Sequence, residues 1–351
     1  MRCTLSTHPT SAGARRRLLA AIGATALLVS ACAGEDADAP TDDVEVEDDD
    51  LDDEPDDGDA DDADEGGDAD ADDVDDADAG EDAFPATVTD SRGVDVEIAE
   101  RPERIVSLSP THTEILFAIG ADEQVHAVDD QSDYPDDAPI TDLSGFEPNI
   151  EAIADEDPDL VIAAFDPGGM ADDLEGLGID VLIFDTATNI DEALEQYEAT
   201  GVAVGHADAG EQLATDTRED MEQLAADAPE VSLTYYHELD EFLYTATSQT
   251  FIGEVYGLFG LENVADPADE DGSGFPQLSE EYIVEENPDL IFLAGAGASA
   301  PDEVADRPGW DTITAVQEGN LIEVDSDIAS RWGPRIVEFA ETVRDAMDDA
   351  A

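Results

Sequence analysis

Glu151-Ala-Ile-Ala-Asp-Glu-Asp-Pro158-Asp159-Leu-Val-Ile-Ala163 and Glu281-Tyr-Ile-Val-Glu-Glu-Asn-Pro288-Asp289-Leu-Ile-Phe-Leu293 say nearly the same thing. Each reads as a short helical stretch, a Pro-Asp pair and a buried apolar strand, with the Glu seven positions before the Pro. A repeat fixes architecture before local signals do. A second pair keeps the same order: Glu254-Val-Tyr-Gly-Leu-Phe-Gly260 echoes Glu114-Ile-Leu-Phe-Ala-Ile-Gly120, each Glu six before the stopping Gly. Two ordered matches in each half predict two similar lobes. Convergence is the plainer account of any single match, because a helix followed by Pro-Asp and a β-run is a common connection.

Outward from the repeat, β and α patterns alternate. Residues 84–100 read as a hairpin turning at Asp90-Ser91-Arg92-Gly93. Arg104–Leu108 reads as a buried strand and Ser109-Pro110-Thr111 as a helix start, with Glu114 three after Thr111 as in a capping box. Further strands are expected at Val125–Val128, Leu160–Ala163, Val181–Phe184, from Val231 and at Leu321–Val324. The run 190–226 has no Pro and reads as a long helix joining the lobes, with Gly205 as a point of fracture. The alternation predicts an α/β fold with mainly parallel sheets covered on both faces.

The chain does not fold along its whole length of 351 residues. Residues 1–31 hold four arginines, no acid and an apolar run from Leu18 to Val29, too short to span a bilayer, and read as a secretory signal. Arg15-Arg16-Arg17 resembles a twin-arginine pattern, and Ser30-Ala31-Cys32 resembles a lipobox that would make Cys32 the lipidated N-terminus. Cys3 is the other cysteine and would be cleaved away, leaving no disulfide and no cysteine-ligated metal site. Residues 34–83 carry 29 acids and no base, a composition that self-repels and reads as a disordered linker; ~50 residues can reach roughly 165 Å. The expected organisation is signal 1–31, anchor and linker 32–83, first lobe 84–189, joining helix 190–227 and second lobe 228–351. Such a tethered domain would work at the outer face of the cytoplasmic membrane.

Residues 84–351 still hold 65 acids against eight arginines, and lysine is absent from the chain. That excess would repel itself in dilute buffer, whereas at molar salt the Debye length is roughly 3 Å. The composition predicts adaptation to high salt. A cation-capturing protein is the alternative, although the acids are spread along the chain.

Enzyme signatures are absent: no G-x-S-x-G, P-loop, H-E-x-x-H or dinucleotide fingerprint occurs. The five His have no metal-ligand spacing; His112 stands out because it falls in a helix start that would open into a cleft. Aromatics make up 6% of the chain and are more informative. Tyr134, Phe146, Phe165, Phe275, Trp310 and Trp332 fall in loops after strands, where ligands bind doubly wound sheets. Aromatic faces there suit a large, flat, partly apolar ligand, or pack within their own loops. Trp332 lies between Arg331 and Arg335, which read either as a receptor for a carboxylate or phosphate or as a helix-start ion pair with neighbouring acids.

Arg104–Gly120, Asp133-Tyr134-Pro135, the two Glu–Pro-Asp segments and Gly333-Pro-Arg-Ile336 together resemble substrate-binding proteins of ABC importers for cobalamin and iron–siderophores, over about residues 86–349. The resemblance implies two Rossmann-like α/β lobes joined by one long helix, a ligand in the cleft and no catalysis. It implies that Glu151 and Glu281 stand on the lobe tips and dock onto arginines of a permease dimer, which works with ATPase subunits. Tyr134, Phe146, Phe165, Phe275, Trp332 and Arg335 become the expected ligand-binding residues. The Asp-Tyr-Pro and Ser-Pro-Thr-His-Thr-Glu motifs look closer to cobalamin binders, whereas Phe146 stands where many of those have Trp. Cobalamin or a related corrinoid is therefore expected, with an iron–siderophore or haem as the alternative and a surface enzyme or sensor reusing the fold as a remote one. The scattered His disfavour a zinc or manganese receptor. The expected protein is a monomer without cofactor or nucleic-acid partner.

Overall fold

The computed structural model describes residues 83–297 and 299–351. The signal, Cys32 and the acidic linker up to residue 82 lie outside them. The described part opens with the expected hairpin, β1 (Ala86–Thr89) and β2 (Asp95–Ile98), paired antiparallel. The buried Asp90 carboxylate accepts the amides of Arg92 and Val94 and also that of Ile183, so the turn is tied to a later strand end.

The first lobe follows as β3 (Ile105–Leu108), α1 (Pro110–Ala118), β4 (Val125–Asp129), β5 (Ile140–Leu143), α2 (Ile150–Asp155), β6 (Leu160–Ala163), α3 (Met170–Glu175) and β7 (Asp180–Ile183). The five strands are parallel, in the order β5-β4-β3-β6-β7. Every residue of β3 and β6 is buried, as parallel strands covered on both faces require.

The run 190–227 is divided at the expected fracture point into two helices, α4 (Ile190–Val204) and α5 (Ala207–Asp227). Gly205 breaks the run by taking φ +81°, a left-handed conformation open to glycine. The helices fold back on each other. Arg218 of α5 reaches Asp191 in the first turn of α4 at 2.6 Å, and Gly201 meets Gly210 so closely that a Cβ on Gly201 would lie 3.0 Å from the Gly210 Cα. Only α5 runs on to the second sheet.

The second lobe is β8 (Thr234–Asp240), α6 (Phe251–Leu258), β9 (Glu262–Asn263), α7 (Glu280–Glu286), β10 (Leu290–Gly297), α8 (Pro301–Ala305), α9 (Thr314–Glu318), β11 (Leu321–Glu323), α10 (Ser326–Ser330) and α11 (Ile336–Ala350). Its parallel order, β9-β8-β10-β11, matches β4-β3-β6-β7. The outer face of each sheet has its own core, around Ile153 and Leu174 in the first lobe and Ile283 and Trp310 in the second. The inner faces share one continuous core through α1, α4, α5, α6 and α11, including Leu116, Tyr197, Met221, Tyr256 and Phe339. Among the described residues no helix is long and apolar enough to cross a membrane.

Candidate functional site

The two repeat segments are superimposable in their chemistry. Asn149 caps α2, accepting the amides of Glu151 and Ala152, and Ser279 caps α7, accepting that of Tyr282. Both helices end on a left-handed residue, Asp157 (φ 53°) and Asn287 (φ 51°), residue types that tolerate this region. The next Pro prevents continuation. The Pro-Asp carboxylates then reach the entrance of the neighbouring central strand. Asp159 accepts from the amides of Glu103 and Arg104, and Asp289 from the amide and hydroxyl of Thr234.

That bracing fixes where the two Glu stand. A crossover helix between parallel strands starts at their carboxyl ends. Glu151 and Glu281, both exposed in the first turn, therefore stand at the carboxyl-end face of their sheets. A helix N-terminus also favours a negative side chain.

The same face carries the exposed aromatics. Phe146 follows β5 and is 65% exposed; it stacks on Phe165, which follows β6, at 5.4 Å and 30° between planes. In the second lobe Phe242 and Tyr244 follow β8, and Phe275 lies in the loop before α7; all three are exposed. Phe242 and Tyr244 were missed in the sequence. The available signal was their place, directly after a central strand as Phe165 is.

Between the lobes lies a cavity of about 500 Å³. Its polar wall is Thr186 and Thr188 after β7, Gln249, Thr250 and Ser273 from the second lobe, and Ser330. Phe275 and Trp332 add aromatic surface, and none of its thirteen lining residues is charged. An adjoining hollow of about 470 Å³ shares Thr186 and Thr188 with it and carries the acids Asp90, Asp185, Glu192 and Glu195.

Trp332 is 7% exposed and held from several sides. Its indole N–H donates to Gln196 Oε1 at 2.7 Å, and the Tyr197 hydroxyl donates to its carbonyl at 3.0 Å. The flanking arginines are not an open anion receptor. Arg335 donates through Nε and Nη2 to the two oxygens of Glu114 at 3.0 and 2.6 Å, and Arg331 Nη1 reaches Glu114 Oε1 at 3.3 Å. The ion-pair alternative holds: Arg331 pairs with its sequence neighbour Asp327 at 2.9 Å, and both arginines also meet Glu114 from the other lobe. These hydrogen bonds donated to Glu114 raise the Arg335 pKa above its ordinary value. Glu114 is correspondingly not part of a capping box. Pro110 occupies the first turn, Ser109 is the cap, and the Glu114 side chain turns to the arginines.

Arg335 also lies over the Tyr134 ring at 4.1 Å. Tyr134 and Arg335 line a different hollow of about 560 Å³, walled by Phe117, Leu213 and Val337. The six expected ligand residues thus fall into three places: Phe275 and Trp332 on the interlobe cavity, Phe146 with Phe165 on the first-lobe rim, and Tyr134 with Arg335 at the second hollow.

Two expectations are corrected by burial. Trp310 is wholly buried in the second-lobe core, edge-on to Tyr236 at 6.4 Å and under Arg307 at 4.5 Å. His112 does not open into the cleft. Its Nδ1 is paired with Ser109 Oγ at 2.8 Å, its ring stacks on Phe184 at 4.9 Å, and burial pushes its pKa down to about 3. Among the described residues no group of three His, Cys, Asp or Glu is placed to hold a metal ion.

Residues 105–328 match the periplasmic binding protein family. The chain is 31% identical over 276 residues to the uncharacterized ABC transporter substrate-binding lipoprotein YvrC of Bacillus subtilis, covering 75% of this chain and 86% of the relative. It is 31% identical to the cobalamin-binding protein of Halobacterium salinarum, covering 73% and 72% respectively. A crystal structure of a possible iron-binding periplasmic solute-binding protein from Staphylococcus epidermidis superposes with a TM-score of 0.61 at 26% identity, covering 70% of this chain and 98% of the other. Two parallel-stranded lobes around an interlobe cavity, together with these matches, place the chain in the periplasmic binding protein family, as a substrate-binding protein of an ABC transporter.

Proposed function

We propose that this protein captures cobalamin or a related corrinoid in the interlobe cavity and delivers it to an ABC importer. The uncharged lining carries the reading. A corrin ring is flat and apolar across its face, and its rim bears carboxamides, which pair with hydroxyl and amide side chains. Thr186, Thr188, Gln249, Thr250, Ser273 and Ser330 offer those partners, and Phe275 and Trp332 offer aromatic surface. Ferric siderophores and haem commonly carry anionic groups, for which arginine is the usual partner. The nearby Arg331 and Arg335 are already bound to Glu114. The stacked Phe146–Phe165 pair would extend the apolar platform at the rim.

The delivery half rests on the repeat. Glu151 and Glu281, exposed at equivalent positions, would each meet an arginine of one subunit of a permease dimer, with Cys32 bearing the lipid that keeps the domain near it. The charge excess fits work in molar salt. A second reading, haem or a ferric siderophore, is favoured by the half-exposed Tyr244, since a phenolate can ligate iron.

Thermal unfolding in molar salt separates the two. Cyanocobalamin at about 100 times its dissociation constant is expected to add about 2.7 kcal/mol of stability. A shift with haem or a ferric siderophore and none with cyanocobalamin would reverse the assignment.

A further inference from the structure

We propose that Glu114, which lines no part of the interlobe cavity, is a positioning residue for ligand binding: it sets the place of Trp332, which does line it. The inference rests on that cavity being the ligand site. Trp332 belongs to the turn between α10 and α11 of the second lobe, yet what holds it comes from the first lobe and α4. Glu114 is nearly inaccessible, and its carboxylate binds the residue before Trp332 and the residue three after it, Arg331 and Arg335. Between them Gly333 approaches so closely that a Cβ there would lie 3.1 Å from Glu114 Oε2. Arg331 is held by Asp327 at 2.9 Å and Asp133 at 3.1 Å as well, so Glu114 fixes the turn chiefly through its paired bonds with Arg335 and the close approach of Gly333. Gln196 then fixes the rotation of the indole through its N–H.

The repeat supports a designed seam here rather than an accidental contact. Glu254 occupies the position in α6 that Glu114 occupies in α1, and it reaches the other way: its Oε2 accepts the Ile190 amide at the start of α4 at 2.7 Å. Glu114 and Glu254 thus each reach out of their own lobe. One carboxylate meets the turn that carries Trp332. The other meets the helix that follows Thr186 and Thr188 of the cavity's polar wall.

The test uses the protein with Trp310→Phe, which leaves Trp332 as the single tryptophan of the two in the chain. Glu114→Gln in that background is expected to keep the far-ultraviolet circular dichroism, to shift the ligand-free Trp332 emission to the red with stronger acrylamide quenching, and to weaken cyanocobalamin binding about tenfold. Asp133→Asn removes an exposed partner of Arg331 and is expected to change neither readout. Should Glu114→Gln fail to fold, Glu114→Asp shortens the reach to Arg331 and Arg335 and carries the same expectations. Unchanged emission overturns the proposal, and so does shifted emission with unchanged affinity. If cyanocobalamin fails to bind the parent protein, the corrinoid reading falls on its own, and the emission of the variants still decides whether Glu114 places Trp332.

Discussion

Single residues explain why the repeat exists and where it stops being structural. Asp159 and Asp289 brace the central strands, Asp157 and Asn287 turn the chain, and Ile153 and Ile283 fill the outer cores. Folding accounts for all of these. A helix start favours an acid at Glu151 and Glu281 without requiring one, so the docking role proposed for them adds something the fold alone does not demand. The buried histidines make a different prediction. Burial lowers His112 and His237 to a pKa of about 3 in the folded protein, against roughly 6.5 unfolded. Below pH 6.5 the unfolded chain takes up protons that the folded one refuses. Stability is therefore full above that pH and falls as pH drops towards the folded value, by about 1.4 kcal/mol per unit for each histidine. Denaturant titrations from pH 7 to pH 5 are expected to show His237→Gln with a shallower decline than the parent. An identical decline would show that His237 is protonated in the fold. The burial of His112 was not legible in the sequence. It depends on Phe184, seventy-two positions away, closing over the ring.

At the level of elements, the legible parts were those whose sequence matches one period. β3 and β6 read as continuous apolar runs because both faces are covered, and the structure places them within a residue of the expected bounds. β5 is an edge strand with only Leu143 buried, so it left no apolar pattern to find. The 190–226 run is helical as expected but turns back at Gly205, since the close meeting of Gly201 with Gly210 is a tertiary preference that helix periodicity does not carry. The candidate site was partly legible for the same reason. Loops after strands announced Phe146, Phe165 and Phe275, whereas the pairing of Arg335 with Glu114 joins residues more than two hundred positions apart. Helices α2 and α7 carry the delivery prediction. Surface ion pairs are weak and screened by salt, so a docking contact that works in brine must exclude water. Glu151→Ala combined with Glu281→Ala is expected to abolish uptake by vesicles containing the importer and to leave ligand affinity within about twofold. Equal loss of ligand affinity would show that these helices serve the cavity instead.

The whole molecule combines a highly acidic surface with an uncharged interior cavity, and salt acts on the two differently. The 65 acids of residues 84–351 repel one another in dilute buffer and are screened at roughly molar salt. A circular dichroism titration is expected to show the folded signal lost as salt falls below about 1 M; a native signal in dilute buffer would remove the case for salt adaptation. The shared inner core between the sheets joins the lobes through α1, α4, α5, α6 and α11, so the cavity walls belong to one packed body. Its lining has no charge to screen. The most direct measurement is therefore equilibrium binding of cyanocobalamin across the molar salt range in which the protein is folded. The account predicts saturable binding of one ligand per chain, with affinity that holds or strengthens as salt rises, as apolar burial does. Absence of binding, or affinity that falls steeply with salt as it does for a charged ligand held by ion pairs, would contradict it.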